Sequence, residues 1–290
     1  MTDTTITWRT LMTQTAALVG DRVTAMWLCH QASGCDSDEF METMDEHVTQ
    51  RSADHIDAMI NRLLAGEPVQ YVLGRWAFRH LDLMVDKRVL IPRPETEQLV
   101  DIVLQYLRSL PDDQRAIVAD LGTGCGAIGL SLLHELKLGT ITAYLTDVSV
   151  DALNVTRANV SGVGRPGMNA MVMHGHWYEA LPNELRNTLD VVVSNPPYIA
   201  NGDLEIAENV LQWEPNDALF AGADGLDALQ AIVSGACDWL KPGGLLALEI
   251  GYKQGAAVLR LLGDSALKDA QVIQDLSGRD RFACATAPLF

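Results

Sequence analysis

The stretch 118-VADLGTGCGAIGLSLL-133 decides the fold of this chain. An apolar run ends at Asp120, glycines follow at positions 122, 124 and 126, and a second apolar run begins at Ala127. Glycines let backbone approach a ligand closely because they carry no Cβ atom, and the N-terminus of a following helix can face that ligand. The stretch therefore predicts a strand, a ligand-binding turn and a helix, the opening unit of a doubly wound α/β fold.

The chain around this stretch repeats the alternation of strand-like and helical segments. Continuous apolar runs are typical of strands buried on both faces, and hence of a parallel sheet covered by helices. We expect a doubly wound, mostly parallel sheet, with the late segments "AQVIQDL" (270–276) and "RFACATAP" (281–288) closing one edge. The predicted inner strands are "AIVAD" (116–120), "TITAYLTD" (140–147), "AMVMHG" (170–175), "DVVVSN" (190–195) and "GLLALEIG" (244–251).

The first part of the chain has a different pattern. Helical spacing is clearest in "SADHIDAMINRLLAG" (52–66), where Ser52 is expected to cap the start and Gly66 the end. The alternation of apolar and polar residues after "GEP" then predicts a β-hairpin. We expect three parts: a helical substrate-docking bundle in 1–74, a hairpin connector in 75–92 and a cofactor-binding α/β domain in 93–290.

Composition limits the classes of function. The chain has 290 residues and a formal net charge of -17, which disfavours a protein that neutralises many nucleic-acid phosphates. One basic cluster, "RWAFRHLDLMVDKRVLIPRP" (75–94), leaves open either a local phosphate-binding patch or a solvated hairpin. Five cysteines without CxxC spacing suggest neither a disulfide framework nor a zinc site. With no leader-like start and no membrane-length apolar run, we expect a cytoplasmic protein.

Asp147 is the candidate partner of the glycine turn. It ends the next predicted strand about twenty residues later, where a carboxylate can bind ribose hydroxyls or can cap the following helix. The spacing GxGxG differs from the dinucleotide fingerprint GxGxxG and suits a nucleoside without a pyrophosphate, such as S-adenosylmethionine. Asp120 could accept hydrogen bonds from the amino-acid end of that ligand or from amides of the turn.

The stretch 194-SNPPY-198 follows another predicted strand, so Asn195 is expected in the crevice at the carboxyl ends of the strands. The side-chain oxygen of Asn195 and the backbone oxygen of Pro196 can accept both hydrogens of a planar NH2 group. Two prolines keep this backbone out of a sheet ladder. Tyr198 can stack on the planar group. The chemistry indicated is positioning of a weak nitrogen nucleophile for in-line displacement.

Other reactive side chains are interpreted more simply. Cys125 lies within the glycine turn without an evident base, so we interpret it as a small loop residue. His174 and His176 are close in sequence, but no third metal ligand is apparent, and no metal is expected.

Together, "DLGTGCGAI" and "SNPPY" resemble the class I S-adenosylmethionine-dependent methyltransferases that act on planar nitrogens. Three further segments resemble the peptide chain release factor N5-glutamine methyltransferases: "GEPVQYVLG", "LIPRPETE" and "WEPNDALFAGADGLDAL". The resemblance covers about Leu63 to Phe290, and the preceding helices fit the small N-terminal bundle of that family. It implies a Rossmann-like methyltransferase fold with S-adenosylmethionine as cofactor and S-adenosylhomocysteine as product.

The resemblance also implies site residues and a substrate. Asn195, Pro196, Pro197 and Tyr198 would hold the glutamine amide of the GGQ tripeptide in release factors 1 and 2, with Asn195, Pro196 and Tyr198 as the catalytic group. The cofactor would contact a larger set: Asp120, Gly122, Thr123, Gly124, Cys125, Gly126, Asp147 at the ribose, Trp177 near the adenine, and Asn195. The family commonly has Asp before this Trp, whereas this chain has His176.

Competing functions differ in substrate. A glutamine methyltransferase of a ribosomal protein would share SNPPY, although "PRPETE" favours release factors. A DNA or RNA amino-group methyltransferase is disfavoured by the acidic charge and by the lack of an obvious target-recognition domain. A binding module without catalysis would not need two acceptors for an NH2 group. We expect a monomer without stably bound nucleic acid or membrane.

Overall fold

The chain forms two compact units. The computed structural model describes residues 6–111 and 114–289. One unit contains the chain up to Arg75 together with the segment Glu208–Trp213, and the other contains Trp76–Ala207 and the chain from Glu214 onward. The sequence patterns did not predict that the segment 208–213 belongs with the N-terminal helices. The division into 1–74, 75–92 and 93–290 stays a prediction.

The first unit is helical. Its core consists of large apolar side chains that helical spacing places on inward faces, among them Trp8, Leu28, Phe40, Ile56 and Met59. The helices are α1 (Trp8–Val19), α2 (Arg22–Ser33), α3 (Ser37–Glu42), α4 (Gln50–Leu64), α5 (Val69–Leu73) and, later in the chain, α9 (Glu208–Trp213).

The start predicted for α4 was wrong by three residues. Thr49 is extended and its hydroxyl accepts a hydrogen bond from the Ser52 amide at 3.1 Å, so Thr49 is the N-cap and Ser52 lies inside the first turn. Thr and Ser are both favourable N-cap residues, and the use of Thr49 makes the helix three residues longer at its start. At the other end, Gly66 follows the C-cap Ala65 with φ +89°, a conformation that glycine adopts without strain.

The second unit confirms the predicted fold class. A hairpin of β1 (Arg75–Phe78) and β2 (Leu81–Met84) precedes one seven-stranded sheet with the strand order β5-β4-β3-β6-β7-β9-β8. The strands from β3 to β7 pair in parallel, whereas β9 is antiparallel to both β7 and β8, at the edge where the late segments were expected. The strands are β3 (Ala116–Leu121), β4 (Ile141–Asp147), β5 (Ala170–His174), β6 (Leu189–Ser194), β7 (Leu240–Glu249), β8 (Lys268–Gln274) and β9 (Asp280–Thr286).

Five longer helices connect and flank these strands: α6 (Pro94–Ser109), α7 (Ala127–Glu135), α8 (Val150–Gly162), α10 (Asp227–Trp239) and α11 (Gly255–Asp264). Every residue of β6 is buried, which explains why its sequence is a continuous apolar run rather than an alternating one. Among the helices that the structure describes, none combines the length and the hydropathy needed to cross a bilayer.

The basic cluster around the hairpin consists largely of intramolecular ion pairs. Arg79 binds both carboxylate oxygens of Glu135 on α7, at 2.5 and 2.8 Å, and its Nη1 donates to the backbone oxygen of Glu97 on α6 at 2.8 Å. Arg88 pairs with Asp86. Because these guanidinium groups already have carboxylate partners, the local phosphate-binding patch is disfavoured, and Arg79 instead connects the hairpin to two helices.

We predict that Arg79→Met destabilises the second unit by about 3 kcal/mol, because it leaves the half-buried carboxylate of Glu135 without its main partner. Urea denaturation measures the change, and Lys253→Met is the matched control because it removes the exposed ion pair with Glu205 and should have little effect. Arg79 lowers the pKa of Glu135, so the stabilisation is present above the ordinary pKa of that carboxyl and is lost as the pH falls. Equal losses in the two variants would contradict this assignment.

Candidate active site

Parallel pairing of β3 with β6 brings the two predicted loops to one edge of the sheet. Asp120 is opposite Val193 in the register, so both strands end at the same level. The order of successive strands reverses here, since β4 and β5 lie on one side of β3, and β6 and β7 lie on the other. Such a reversal is where doubly wound sheets bind ligands. A cavity of about 480 Å³ lies at this edge, lined by residues of both loops.

Eight of the predicted site residues line this cavity: Gly122, Thr123, Gly124, Cys125, Asp147, Trp177, Asn195 and Pro197. The other four do not: Asp120 and Pro196 are buried, Gly126 is the N-cap of α7, and the Tyr198 hydroxyl bonds to Glu249. The structure therefore brings to one cavity seven of the nine residues predicted to bind the cofactor and two of the four predicted to bind the substrate.

Two glycines of the turn are required by its geometry. Gly122 has φ +70°, and a Cβ atom there would lie 3.3 Å from the ring of Trp177. Gly124 has φ +58°, and no described atom lies within 4 Å of where its Cβ would be, so a larger residue would be strained and would project into open space. Cys125 lies between Gly124 and the start of α7, and burial raises the pKa of its thiol to about 12. The thiol stays protonated at neutral pH and is a poor nucleophile, as expected for a small loop residue.

Helix α8 holds the turn through two side chains that sequence analysis missed. The Thr156 hydroxyl donates to the Gly124 oxygen at 2.7 Å, and the Asn159 amide donates to the Cys125 oxygen at 2.8 Å. Both residues are buried polar side chains three positions apart, on the face of α8 that also carries Val155. Polar residues on an otherwise apolar helix face are the feature of the sequence that could have identified Thr156 and Asn159.

Asp120 is fully buried at the end of β3. Its Oδ2 accepts hydrogen bonds from the Thr123 hydroxyl at 2.6 Å and from the Gly129 amide at 3.0 Å, and burial raises its pKa to about 6. Its Oδ1 has no hydrogen-bond partner within the described part of the chain. A buried acceptor of this kind is costly unless a donor reaches it, so this carboxylate suits a ligand that brings a cationic or amide donor.

Asp147 faces the cavity and does not cap α8. The N-cap is Ser149, whose hydroxyl accepts from the Ala152 amide. The Asp147 oxygens accept from the Ser149 and Gly124 amides at 2.9 and 3.0 Å, and burial raises its pKa. The helix-cap interpretation was therefore wrong. Each carboxylate oxygen can accept a second hydrogen bond, which leaves capacity for a diol.

Trp177 follows β5 in a conformation that is rare for a bulky residue, with φ +44°. Its ring lies edge-on to the His176 ring, with centroids 5.4 Å apart, and both residues line the cavity. The neighbouring His174 bonds through Nε2 to the Val148 oxygen at 2.9 Å. Within the described ranges, no group of three His, Cys, Asp or Glu side chains is arranged to hold a metal ion.

Asn195 is anchored by residues from distant parts of the chain. Its Nδ2 lies 3.2 Å from the Thr96 hydroxyl of α6, which in turn donates to Oε2 of Glu249 on β7 at 2.6 Å. The Tyr198 hydroxyl donates to Oε1 of the same carboxylate at 3.4 Å. Burial raises the pKa of Glu249 to about 7. The predicted stacking side chain is thus tied through its hydroxyl to a buried acid that sequence analysis did not identify.

One wall of the cavity joins two segments that are far apart in the sequence. The buried carboxylate of Glu214 accepts from the Ile91 amide at 3.2 Å and from Arg93 at 2.5 Å. Glu214 belongs to "WEPNDALF" and its two donors to "LIPRPETE". Their contact holds the two segments together where Pro92 of one and Pro215 of the other both line the cavity.

Comparisons with known proteins agree with this geometry. The family described as "Methyltransferase small domain" matches residues 100–219, and the one described as "PrmC N-terminal domain" matches residues 9–74. Among solved structures, a methyltransferase from Pyrococcus furiosus superposes with a TM-score of 0.51 at 15% identity, covering 79% of this chain and 97% of that one. At that identity the likeness concerns the fold alone.

Two relatives share far more of the sequence. A release factor glutamine methyltransferase of Xylella fastidiosa (strain 9a5c) is 40% identical over 271 residues, which is 93% of this chain and 94% of the relative. A protein of the same name from Neisseria gonorrhoeae is 39% identical over 241 residues, 83% of this chain and 82% of the relative. The chain belongs to the family of release factor glutamine methyltransferases.

Proposed function

We propose that this enzyme methylates the side-chain nitrogen, N5, of the glutamine in the GGQ motif of bacterial class 1 release factors, with S-adenosylmethionine as methyl donor. The observation that carries the proposal is the position of Asn195, which lines the same cavity as the glycine turn and Asp147. The similarity to release factor glutamine methyltransferases over 93% and 83% of the chain supports this choice of substrate.

The residues present fit the cofactor. The unpartnered Oδ1 of Asp120, the open space at Gly124 and the remaining acceptor capacity of Asp147 suit a ligand with an ammonium group and a ribose. Gly122, Thr123, Gly124, Cys125 and Gly126 would lie along it, Asp147 would hold the ribose hydroxyls, and Trp177 would contact the adenine. When bound, S-adenosylmethionine supplies a methyl carbon made electrophilic by the sulfonium sulfur, and S-adenosylhomocysteine is the product.

The contribution of the chain to catalysis is orientation. An amide nitrogen is a weak nucleophile because its lone pair is delocalised, so both of its hydrogens must be held while the lone pair is directed at the methyl group. The Asn195 side-chain oxygen and the Pro196 carbonyl are the acceptors for those hydrogens. Neither accepts a hydrogen bond from any residue that the structure describes. Pro197 and Tyr198 would complete the binding of the planar group.

We propose further that the N-terminal helices bind the release factor. From residue 6 to Gly66 the chain carries nine acidic and four basic side chains, so this unit can attract a basic, RNA-facing surface. The enzyme would act as a monomer in the cytoplasm and hold no nucleic acid stably.

The decisive test incubates the purified protein with labelled S-adenosylmethionine and, separately, release factors, ribosomal proteins and nucleic acids, and maps the methyl group by mass spectrometry. Transfer to the GGQ glutamine is the expected result. Methylation of a ribosomal-protein glutamine or of a nucleobase would establish one of the competing functions instead.

Asn195→Ala should lower kcat by at least about 100-fold, because one acceptor for the substrate amide is lost in the transition state. Calorimetry should give an unchanged Kd for S-adenosylhomocysteine. Asn154→Ala on the exposed side of α8 is the matched control and should behave as wild type. Persistent turnover in Asn195→Ala would refute the orientation mechanism.

His176→Asp should leave the affinity for S-adenosylhomocysteine unchanged or tighten it, because a carboxylate beside Trp177 can accept a hydrogen bond from an adenine amino group. Isothermal titration calorimetry on the two proteins makes the comparison. A large loss of affinity would mean that His176 has a role of its own in binding.

The KM for the release factor should rise with salt, since charge attraction between exposed surfaces is screened over about 8 Å at physiological ionic strength. Glu42→Gln combined with Glu46→Gln, on the exposed surface of the helical unit, should raise KM about twofold and flatten its salt dependence. Asp264→Asn, an exposed acid at the end of α11, should change neither. A KM that is flat from low to high salt would exclude electrostatic docking.

A further inference from the structure

Thr96 lies between Asn195 and Glu249, although 99 residues separate it from the first and 153 from the second. It is the third residue of α6, it is 3% exposed, and it lines the cavity. Its hydroxyl is 3.2 Å from Asn195 Nδ2 and 2.6 Å from Glu249 Oε2. One hydroxyl therefore connects the substrate-facing amide to a buried acid.

The single proton of that hydroxyl fixes the direction of the chain of hydrogen bonds. An ionised carboxylate can only accept, so Thr96 donates its proton to Glu249. The hydroxyl oxygen then offers only lone pairs to Asn195, and only the NH2 end of the carboxamide can face it. The carbonyl end of Asn195 is thereby turned away from Thr96, free to accept a hydrogen from a ligand.

Burial raises the pKa of Glu249 to about 7, and the hydrogen bonds from Thr96 and Tyr198 together with the charge of Arg281 act in the opposite direction and favour the ionised form that this direction requires. The side chain is 1% exposed, and its second oxygen accepts from Tyr198, whose hydroxyl also lies 3.5 Å from Arg281 Nη1 on β9. The charged groups that act on Glu249 are Arg281, which favours ionisation, and Glu95 at the start of α6, which opposes it. A protonated Glu249 could itself donate a hydrogen bond to the Thr96 oxygen. The Thr96 hydroxyl would then be free to donate to the Asn195 oxygen, and the carboxamide could rotate by half a turn.

We propose that Thr96 and Glu249 are positioning residues that set the rotation of the Asn195 carboxamide, so that its oxygen rather than its nitrogen faces the substrate amide. This inference rests on the proposed function, since it assigns the geometry of the acceptor that holds the glutamine. Neither residue touches the reacting atoms; both act through Asn195.

The central comparison is Thr96→Val with Thr96→Ser, assayed with the full-length protein, S-adenosylmethionine and a release factor. Valine keeps the shape and loses the hydroxyl, so kcat should fall about 10- to 100-fold while the KM for the release factor changes less than about twofold. Serine restores the hydroxyl and should keep kcat within about threefold of wild type. Equal kcat in wild type and Thr96→Val would overturn the proposal, as would equal losses in the two variants.

The pH profile tests Glu249 separately. Burial raises the pKa of this acid to about 7, so the wild-type kcat should rise as the pH increases through that value and the ionised form takes over. Glu249→Gln cannot titrate, so this limb of the profile should disappear whatever the absolute rate of the variant. Persistence of the limb in Glu249→Gln would show that another group is responsible and would remove Glu249 from the assignment.

A readout without turnover separates this inference from the proposed function. In ¹⁵N-labelled protein with S-adenosylhomocysteine, one Asn195 side-chain proton should exchange slowly because it is bonded to Thr96, with the signal assigned by its loss in Asn195→Ala. The protection should vanish in Thr96→Val and persist in Thr96→Ser. If wild type shows protection but methylates no release factor, the substrate assignment fails and the anchoring stands; if Thr96→Val retains the protection, the anchoring fails.

Discussion

Hydrogen bonds between β3 and β6 hold the two ligand-facing loops side by side, and every other feature of the site depends on that pairing. Because the strands are parallel and in register at Asp120 and Val193, the glycine turn and the Asn195 segment leave the sheet at the same edge. The prolines after Asn195 then prevent the second loop from continuing the ladder. A cavity forms between the loops because the glycine turn has no side chains to fill the space and the two prolines hold the Asn195 segment in an extended course away from the sheet.

Two buried acids, Asp120 and Glu249, lie beneath this edge, although acidic side chains are rarely fully buried in proteins. Asp120 supports the glycine turn from below, and Glu249 supports the Asn195 segment through Thr96 and Tyr198. Burial raises the pKa of both acids, and donors from neighbouring elements offset part of that cost. The two loops are thus each held by one buried acid, so their geometry is set before any ligand arrives.

Much of this arrangement followed from local sequence. Continuous apolar runs identified the strands, glycine spacing identified the turn, and the position of SNPPY after a strand identified the crevice. The contacts of Thr96 with Asn195 and Glu249 could not be predicted, because they join three elements whose relative placement only the folded sheet defines. Asp147 illustrates a different limit. From the sequence, a carboxylate just before a helix can be either a ribose ligand or the helix cap, and only the structure shows that Ser149 caps α8. Arg79 looked like a solvent-exposed charge because its carboxylate partner on α7 lies 56 residues away.

The assignment of Glu208–Trp213 to the helical unit has a consequence for how such a protein can be divided or recombined. That unit is discontinuous, since the chain enters it a second time shortly after the Asn195 segment and leaves again before Glu214. If the chain were cut after Arg75, helix α9 would be separated from the other helices of its unit. It would remain in the C-terminal fragment, without the helices that it belongs with. In a chimera of two relatives, the N-terminal helices and the segment corresponding to α9 should therefore come from the same protein. The two segments must be exchanged together.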